Sequence, residues 1–84
     1  MKRKIYEVMP DRIQGGWKVV SNGTCLKRTA TQLEAIKAGS LRARNRASDP
    51  DFGSDATLRI RNASGQFGDE RNYKFSPDNN RFGI

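Results

Sequence analysis

An Asn-Gly pair between two short alternating segments is the feature that most constrains how this chain folds. Asn22 and Gly23 both accept the positive φ angles that a two-residue type I′ turn requires. Residues 17–21 and 24–28 on either side have the composition of strands, and apolar side chains alternate with polar ones in the first of them. The sequence therefore predicts a β-hairpin over residues 17–28.

Residues 5–9 show the alternation of an earlier strand. Tyr6 and Val8 fall on one face of this segment, because successive side chains of a strand point to opposite faces. Pro10 follows, and proline has no amide donor for a sheet ladder. We therefore expect the first strand to end there.

Residues 56–62 alternate regularly and predict a strand later in the chain. Leu58 and Ile60 are expected to face the core, which places Arg59 and Arg61 on the opposite, outward face. A turn follows, and the chain is then expected to return as a short final strand.

One helix is predicted over residues 31–47, a stretch without proline. Thr31 and Glu34 have the spacing of a capping box, in which each side chain accepts a hydrogen bond from the other residue's backbone amide. Gly39 lies inside the helix and costs about 1 kcal/mol of helix propensity relative to alanine. A close contact between the helix and a sheet would account for it.

These elements predict an α+β fold with the order β-β-β-α-β and an optional fifth strand at residues 66–68. We expect a small antiparallel sheet of three to five strands with one helix packed across one face. Residues 1–75 would form a single domain, and residues 76–84 a flexible C-terminal tail. The side chains expected to face inward are those of Tyr6, Val8, Trp17, Val19, Leu33, Ile36, Ala43, Leu58 and Ile60.

The residue types that the chain lacks exclude several classes of protein. Among its 84 residues there is no histidine and only one cysteine, so an internal disulfide, the usual zinc-ligand sets and Ser-His or Cys-His catalytic pairs are excluded. No apolar run is long enough to span a membrane. We therefore expect a cytoplasmic, non-enzymatic protein without a cofactor or metal.

The charge of the chain points to an anionic partner. Lys and Arg number 16 against 9 Asp and Glu, which gives a formal net charge of +7. Most of the cations are arginines, which form bidentate contacts with phosphates and carboxylates. Nucleic acid is the first expectation for the partner and an acidic protein surface the second; a third interpretation is that the charge only keeps the protein soluble.

The candidate binding residues form two groups. The predicted sheet would carry a basic face, and the last turns of the helix would carry an arginine cluster. For the helix group, a favourable interaction with the negative end of the helix dipole is an alternative explanation. The candidates are Lys18, Lys27, Arg59 and Arg61 on the sheet, and Arg42, Arg44 and Arg46 on the helix.

With these residues in view, the chain resembles a family of short bacterial and phage proteins, the domain-of-unknown-function family 2188. The resemblance covers most of the chain and implies a small sheet with one helix. It implies no established activity and no catalytic residues. The motifs that carry it are Tyr6-x-Val8-x-Pro10, Gly16-Trp17-x-Val19, Arg28, Thr31-x-x-Glu34-Ala35-Ile36, Leu58-x-Ile60, Gly65 and Arg71-x-Tyr73.

Three functions remain open at this point. The first is a small basic module that binds the nucleic-acid backbone, whether DNA or RNA. The alternative is a phage or mobile-element protein that binds and inhibits a host protein or nucleoprotein complex, for example as an anti-CRISPR-type inhibitor. Its arginines would then meet carboxylates, with Phe67, Tyr73 or Phe75 as apolar anchors. The third is an assembly protein that pairs through its sheet edges. We expect a monomer or a weak homodimer.

Overall fold

The computed structural model describes residues 3–75, which form a five-stranded sheet with one helix across one of its faces. This confirms the predicted α+β class and the element order with the fifth strand included. The expected tail, residues 76–84, lies outside the described residues. The elements are β1 (Lys4–Pro10), β2 (Trp17–Ser21), β3 (Thr24–Thr29), α1 (Gln32–Ser48), β4 (Ala56–Arg61) and β5 (Phe67–Tyr73).

The sheet has the strand order β3-β2-β1-β4-β5, and it is mixed rather than wholly antiparallel. Strands β1 and β4 pair in parallel, with Tyr6 opposite Leu58, whereas the other three pairs are antiparallel. The prediction of an antiparallel sheet was wrong for this one pair. Helix α1 carries the chain back across the sheet after β3, so β4 runs in the same direction as β3 and therefore as β1.

The hairpin forms at the predicted place. Asn22 and Gly23 have φ angles of 53° and 76°, as the type I′ turn requires. The pairing of β2 with β3 shifts register once, so that Val20 lies opposite Cys25 and Val19 opposite Lys27. Leu26 is the extra residue of this bulge, and its half-buried side chain packs against the core.

The helix begins at the predicted cap. The Thr31 hydroxyl accepts a hydrogen bond from the Glu34 amide at 3.2 Å, and the Glu34 carboxylate accepts one from the Thr31 amide at the same distance. These two bonds satisfy amides that have no partner within the helix. The capping box is therefore confirmed.

The helix packs on the sheet through small residues. Its buried positions recur every fourth residue and are Ala35, Gly39, Ala43 and Ala47. The prediction that Leu33 faces the core was wrong, since this side chain is 61% exposed, and Ile36 is only half-buried. Large side chains on the contact face would hold the helix away from the sheet, so they lie on its flank instead.

The bulk of the core comes from the sheet. Val8, Val19 and Leu58 are fully buried beneath the helix, and Tyr6 and Ile60 are nearly so. As predicted, their side chains share the face that the helix covers. Trp17 was also predicted to face inward; it is half-buried and packs against the edge of this core.

Strand β5 is longer than the short return predicted at residues 66–68, since it runs over Phe67–Tyr73. Its middle is charged, and nearly every side chain in it is exposed. An edge strand accepts such a sequence, because only one of its sides has a partner strand and charged side chains discourage pairing at the other. The sheet therefore extends beyond the area that α1 covers.

Candidate nucleic-acid interface

The two sides of the sheet differ in how their charges are arranged. One side carries α1 and is called here the helix side; on the other no helix or strand of residues 3–75 packs, and it is called the open face. On the open face, Arg61 Nη2 lies 3.0 Å from Glu7 Oε2, and Arg59 Nε lies 3.5 Å from Glu70 Oε1. The two arginines predicted to form a basic sheet face thus contact carboxylates of the neighbouring strands.

Further ion pairs lie around the open face. Arg28 Nε donates to Asp11 Oδ2 at 2.9 Å, and Arg3 Nη2 lies 3.5 Å from Asp55 Oδ2. Lys18, the third predicted cation of this face, lies opposite Met9 in β1 and is half-buried. Because positive and negative side chains alternate here, the open face attracts a polyanion less strongly than its arginines alone would.

On the helix side, a groove runs between α1 and β5. Its volume is about 560 Å³, and we call it the α1–β5 groove. Strand β5 lies at the edge of the sheet, outside the strands on which α1 packs most closely, so the space beside the helix stays open. The residues that line it are Leu33, Ile36, Lys37, Ser40, Leu41 and Arg44 from the helix, and Arg71 and Tyr73 from the strand.

The cations of this groove differ from those of the open face. Among residues 3–75, no carboxylate lies within ion-pair distance of Lys37, Arg44 or Arg71. All three side chains are exposed. They can therefore bind an external anion without breaking an internal ion pair.

The α1–β5 groove also has apolar walls. Leu33 and Leu41 are 61% and 53% exposed, and the half-buried Tyr73 adds an aromatic ring. The hydroxyl of Ser40 is buried, and no group in the described part of the chain hydrogen-bonds to it. The groove thus combines cations, apolar surface and an unsatisfied hydroxyl.

A second depression lies on the other flank of the helix. Its volume is about 250 Å³, and it is lined by Tyr6, Arg42, Asn45, Arg46, Asp49 and Phe52. Arg46 is held in place there, because its Cζ lies 3.5 Å from the centroid of the Phe52 ring. A guanidinium stacked in this way still presents donors at its edge.

The ionisation of Tyr6 reports on these charges. Burial raises the pKa of the Tyr6 hydroxyl above its ordinary value of 10.0, and the positive charges of Arg46 and Arg42 partly oppose this rise. Both guanidinium groups line the depression together with the Tyr6 ring. The second depression is thus a further cationic part of the helix side.

The structure therefore divides the seven candidate residues between the two faces. Lys18, Arg59 and Arg61 lie on the open face. Lys27 lies opposite Val19, whose side chain is beneath the helix, so it belongs with the three helix arginines to the helix side. Arg42, Arg44 and Arg46 do not form one stripe: Arg44 lines the α1–β5 groove, and the other two line the second depression.

Two cations of the α1–β5 groove, Lys37 and Arg71, were not among the binding residues predicted from the sequence. Lys37 precedes Arg44 by seven residues, a spacing that returns to the same face of a helix, so a signal for it was present. Arg71 had no comparable signal. Its position beside the helix depends on the pairing of β5 with β4, where it lies opposite Leu58.

Neither a metal-binding cluster nor a membrane-spanning helix is found in the described part of the chain. Within residues 3–75, no group of three or more His, Cys, Asp or Glu side chains is placed to hold a metal ion. In the same part of the chain, no helix has the length and apolar character needed to cross a membrane.

Comparison with known proteins gives one match. The model of a family described as "Uncharacterized protein conserved in bacteria (DUF2188)" matches residues 6–73. This range includes all five strands except the start of β1, and the whole helix. No curated protein and no solved structure matches the chain.

Proposed function

The chain belongs to the DUF2188 family of uncharacterised bacterial proteins, and we propose that it is a small non-enzymatic module that binds the nucleic-acid backbone through its helix side. The observation that supports this most directly is the separation of charges. Arg59 and Arg61 on the open face contact carboxylates, whereas Lys37, Arg44 and Arg71 on the helix side have none within ion-pair distance among residues 3–75.

Unpaired cations favour phosphate binding for an energetic reason. A phosphate that binds an already paired arginine must compete with the carboxylate, so part of the interaction energy is lost. Among residues 3–75, Lys37, Arg44 and Arg71 have no carboxylate partner that a phosphate would have to displace. Their binding also releases counterions from the nucleic acid, which makes the affinity strongly dependent on salt.

The charge of the whole chain adds to this preference. The formal net charge of +7 gives long-range attraction to a polyanion. Arginines on α1 supply planar donors that match phosphate oxygens. We place the protein in the cytoplasm, where both DNA and RNA are available as partners, and we assign it no cofactor.

A charge-neutralisation experiment tests the proposal. Lys37→Gln/Arg44→Gln removes two helix-side cations, and Arg59→Gln/Arg61→Gln removes two from the open face; each variant changes the net charge from +7 to +5. Labelled duplex DNA, single-stranded DNA and RNA are titrated with each protein at several salt concentrations.

The helix-side variant is expected to lose more affinity than the open-face variant. The slope of log K against log salt should become shallower by about 1.8 on duplex DNA or about 1.4 on a single strand if both cations contact phosphates. Equal losses in the two variants would show that only net charge matters. No binding by the wild type near physiological salt would overturn the proposal, and the partner would then be sought among acidic protein surfaces, as for a phage-borne inhibitor.

A further inference from the structure

We propose that the α1–β5 groove binds single-stranded nucleic acid, with a base against Tyr73 and the adjoining phosphates on Lys37, Arg44 and Arg71. This inference rests on the proposed function and names the form of nucleic acid that the helix side selects. The juxtaposition that carries it is apolar and aromatic surface between cations that have no carboxylate partner among residues 3–75.

The apolar surface of the α1–β5 groove favours a single strand over a duplex as the ligand. A double helix presents phosphates and sugars on its outside and keeps the flat faces of its bases stacked within. Contacts with such a surface require cations but give Leu33 and Leu41 nothing apolar to cover. A single strand exposes the faces of its bases, and these stack on aromatic rings whatever the base.

The position of Tyr73 on β5 suits this role. It lies opposite Ala56, a fully buried residue with a small side chain, so the tyrosine ring fills the edge of the core above it. The ring is half-buried, with one part against the core and another forming a wall of the groove. Its packing fixes the ring before a ligand arrives, which reduces the entropy lost on binding.

The cations stand where a strand's backbone would pass. Lys37 and Arg44 lie two helical turns apart on one face of α1, and Arg71 lies across the groove on β5. A strand placed along the groove would therefore have positive charge on both sides.

The size of the groove is consistent with one base and its sugar. Its volume of about 560 Å³ lies within the range of about 300–1,000 Å³ that is typical of sites for small organic molecules. The contacts it offers are stacking and charge rather than a fixed set of donors and acceptors. We therefore expect little preference among the four bases.

The test separates bases from phosphates. Wild-type protein is titrated with a thymidine oligomer, with an abasic oligomer that has the same number of phosphates, and with a duplex. If a base stacks in the groove, the thymidine oligomer should bind about 5-fold to about 100-fold more tightly than the abasic oligomer. The abasic oligomer should keep a similar salt dependence, because its phosphates are unchanged.

Two variants locate the stacking residue. Tyr73→Leu keeps an apolar side chain but removes the ring, and it should abolish most of the preference for the thymidine oligomer. Tyr73→Phe keeps the ring and should retain the preference. The matched control is Phe67→Leu, because Phe67 is 60% exposed on the same strand but lies opposite Arg61 of the open face.

The outcomes distinguish this inference from the function on which it rests. If all three nucleic acids bind with similar affinity and Tyr73→Leu changes nothing, the single-strand inference is wrong while backbone binding stands. If none of them binds near physiological salt, backbone binding itself is wrong. Because Tyr73→Leu could also unfold the protein, its circular dichroism spectrum and thermal transition are compared with those of Tyr73→Phe.

Discussion

Leu58 occupies the space that a side chain at Gly39 would need. A Cβ atom on Gly39 would lie 2.7 Å from Leu58 Cδ1 and 3.4 Å from Val8 Cγ2. Leu58 is fully buried in β4, so it has little room to move aside. The glycine thus sets how closely α1 approaches the sheet.

Gly39→Ala should therefore destabilise the protein although alanine is the better helix former. Overpacking costs about 1–3 kcal/mol, and the gain in helix propensity of about 1 kcal/mol offsets only part of it. Urea unfolding of the variant measures the balance. An increase in the free energy of unfolding would show that Leu58 moves aside easily.

A substitution at Leu58 tests whether the clash with this side chain causes the loss of stability in Gly39→Ala. Leu58→Val alone should lose stability because it removes buried volume, but in the Gly39→Ala background it also provides room for the new methyl group. The double variant should therefore be more stable than the sum of the two single effects predicts. Strict additivity would mean that residues 39 and 58 do not compete for the same space.

Thr31→Ala should weaken the start of α1. The substitution leaves the Glu34 amide without its hydrogen-bond acceptor, and loss of such a cap costs about 0.5–2 kcal/mol. Thr31→Ser keeps the hydroxyl and should remain within a few tenths of a kcal/mol of the wild type. Chemical unfolding followed by far-UV circular dichroism compares the variants. Equal losses for alanine and serine would contradict a role for the hydroxyl.

Asp11 should make stability depend on acid pH. The hydrogen bond from the Gln14 amide, together with Arg28 and the Ile13 amide and against the opposite effect of burial, holds the pKa of the Asp11 carboxyl below its ordinary value of 3.8. The charged carboxylate is thus favoured in the folded state. Its contribution is complete above the ordinary pKa and is lost as the pH falls through the lowered one.

Asp11→Asn removes this dependence. Its stability should be lower than that of the wild type at about pH 6, and the difference should shrink towards about pH 2.5. Arg28→Gln should keep part of the acid sensitivity, because the backbone amides of Gln14 and Ile13 still donate to the Asp11 carboxylate. Urea unfolding at several pH values measures both. A constant difference between wild type and Asp11→Asn would contradict the shift.

The stacking of Arg46 on Phe52 should be measurable as a coupling between the two residues. A cation–π contact is worth about 0.5–1 kcal/mol at an exposed site, and Phe52 is 51% exposed. Phe52→Leu, Arg46→Gln and the double variant form a thermodynamic cycle that isolates this term. A coupling energy near zero would show that the stacking has no energetic effect in solution.

Local chemistry made part of the fold predictable. The Asn22-Gly23 turn and the capping box of Thr31 and Glu34 each depend on residues within a few positions, and both formed as predicted. The face of the helix was harder to predict, because Leu33 is apolar and lies near the expected stripe. Small residues face the sheet because the helix approaches it closely at Gly39. This contact is made with Leu58 of β4, which is distant in the sequence, so the local pattern does not show it.

Pairing between distant strands explains what the sequence did not reveal about the binding surface. Alternation placed Arg59 and Arg61 on the outward face, but it could not show that Glu70 and Glu7 stand beside them, since this depends on the register of three strands. The α1–β5 groove was hidden for the same reason. Lys37 and Arg71 are separated by much of the chain and meet only when β5 joins the sheet.

The parallel pair at the centre of the sheet also determines when the molecule can fold. Lys4 lies opposite Ala56, so the central strand β1 must find a partner strand about 52 residues later in the chain. The hairpin and the helix cap can form early from neighbouring residues, but until β4 arrives the helix lacks the side chain of Leu58 against which Gly39 packs. Closing this long loop is therefore the step that should limit the folding rate. The charged middle of β5, which forms one edge of the sheet, should then discourage the completed sheet from pairing with another molecule.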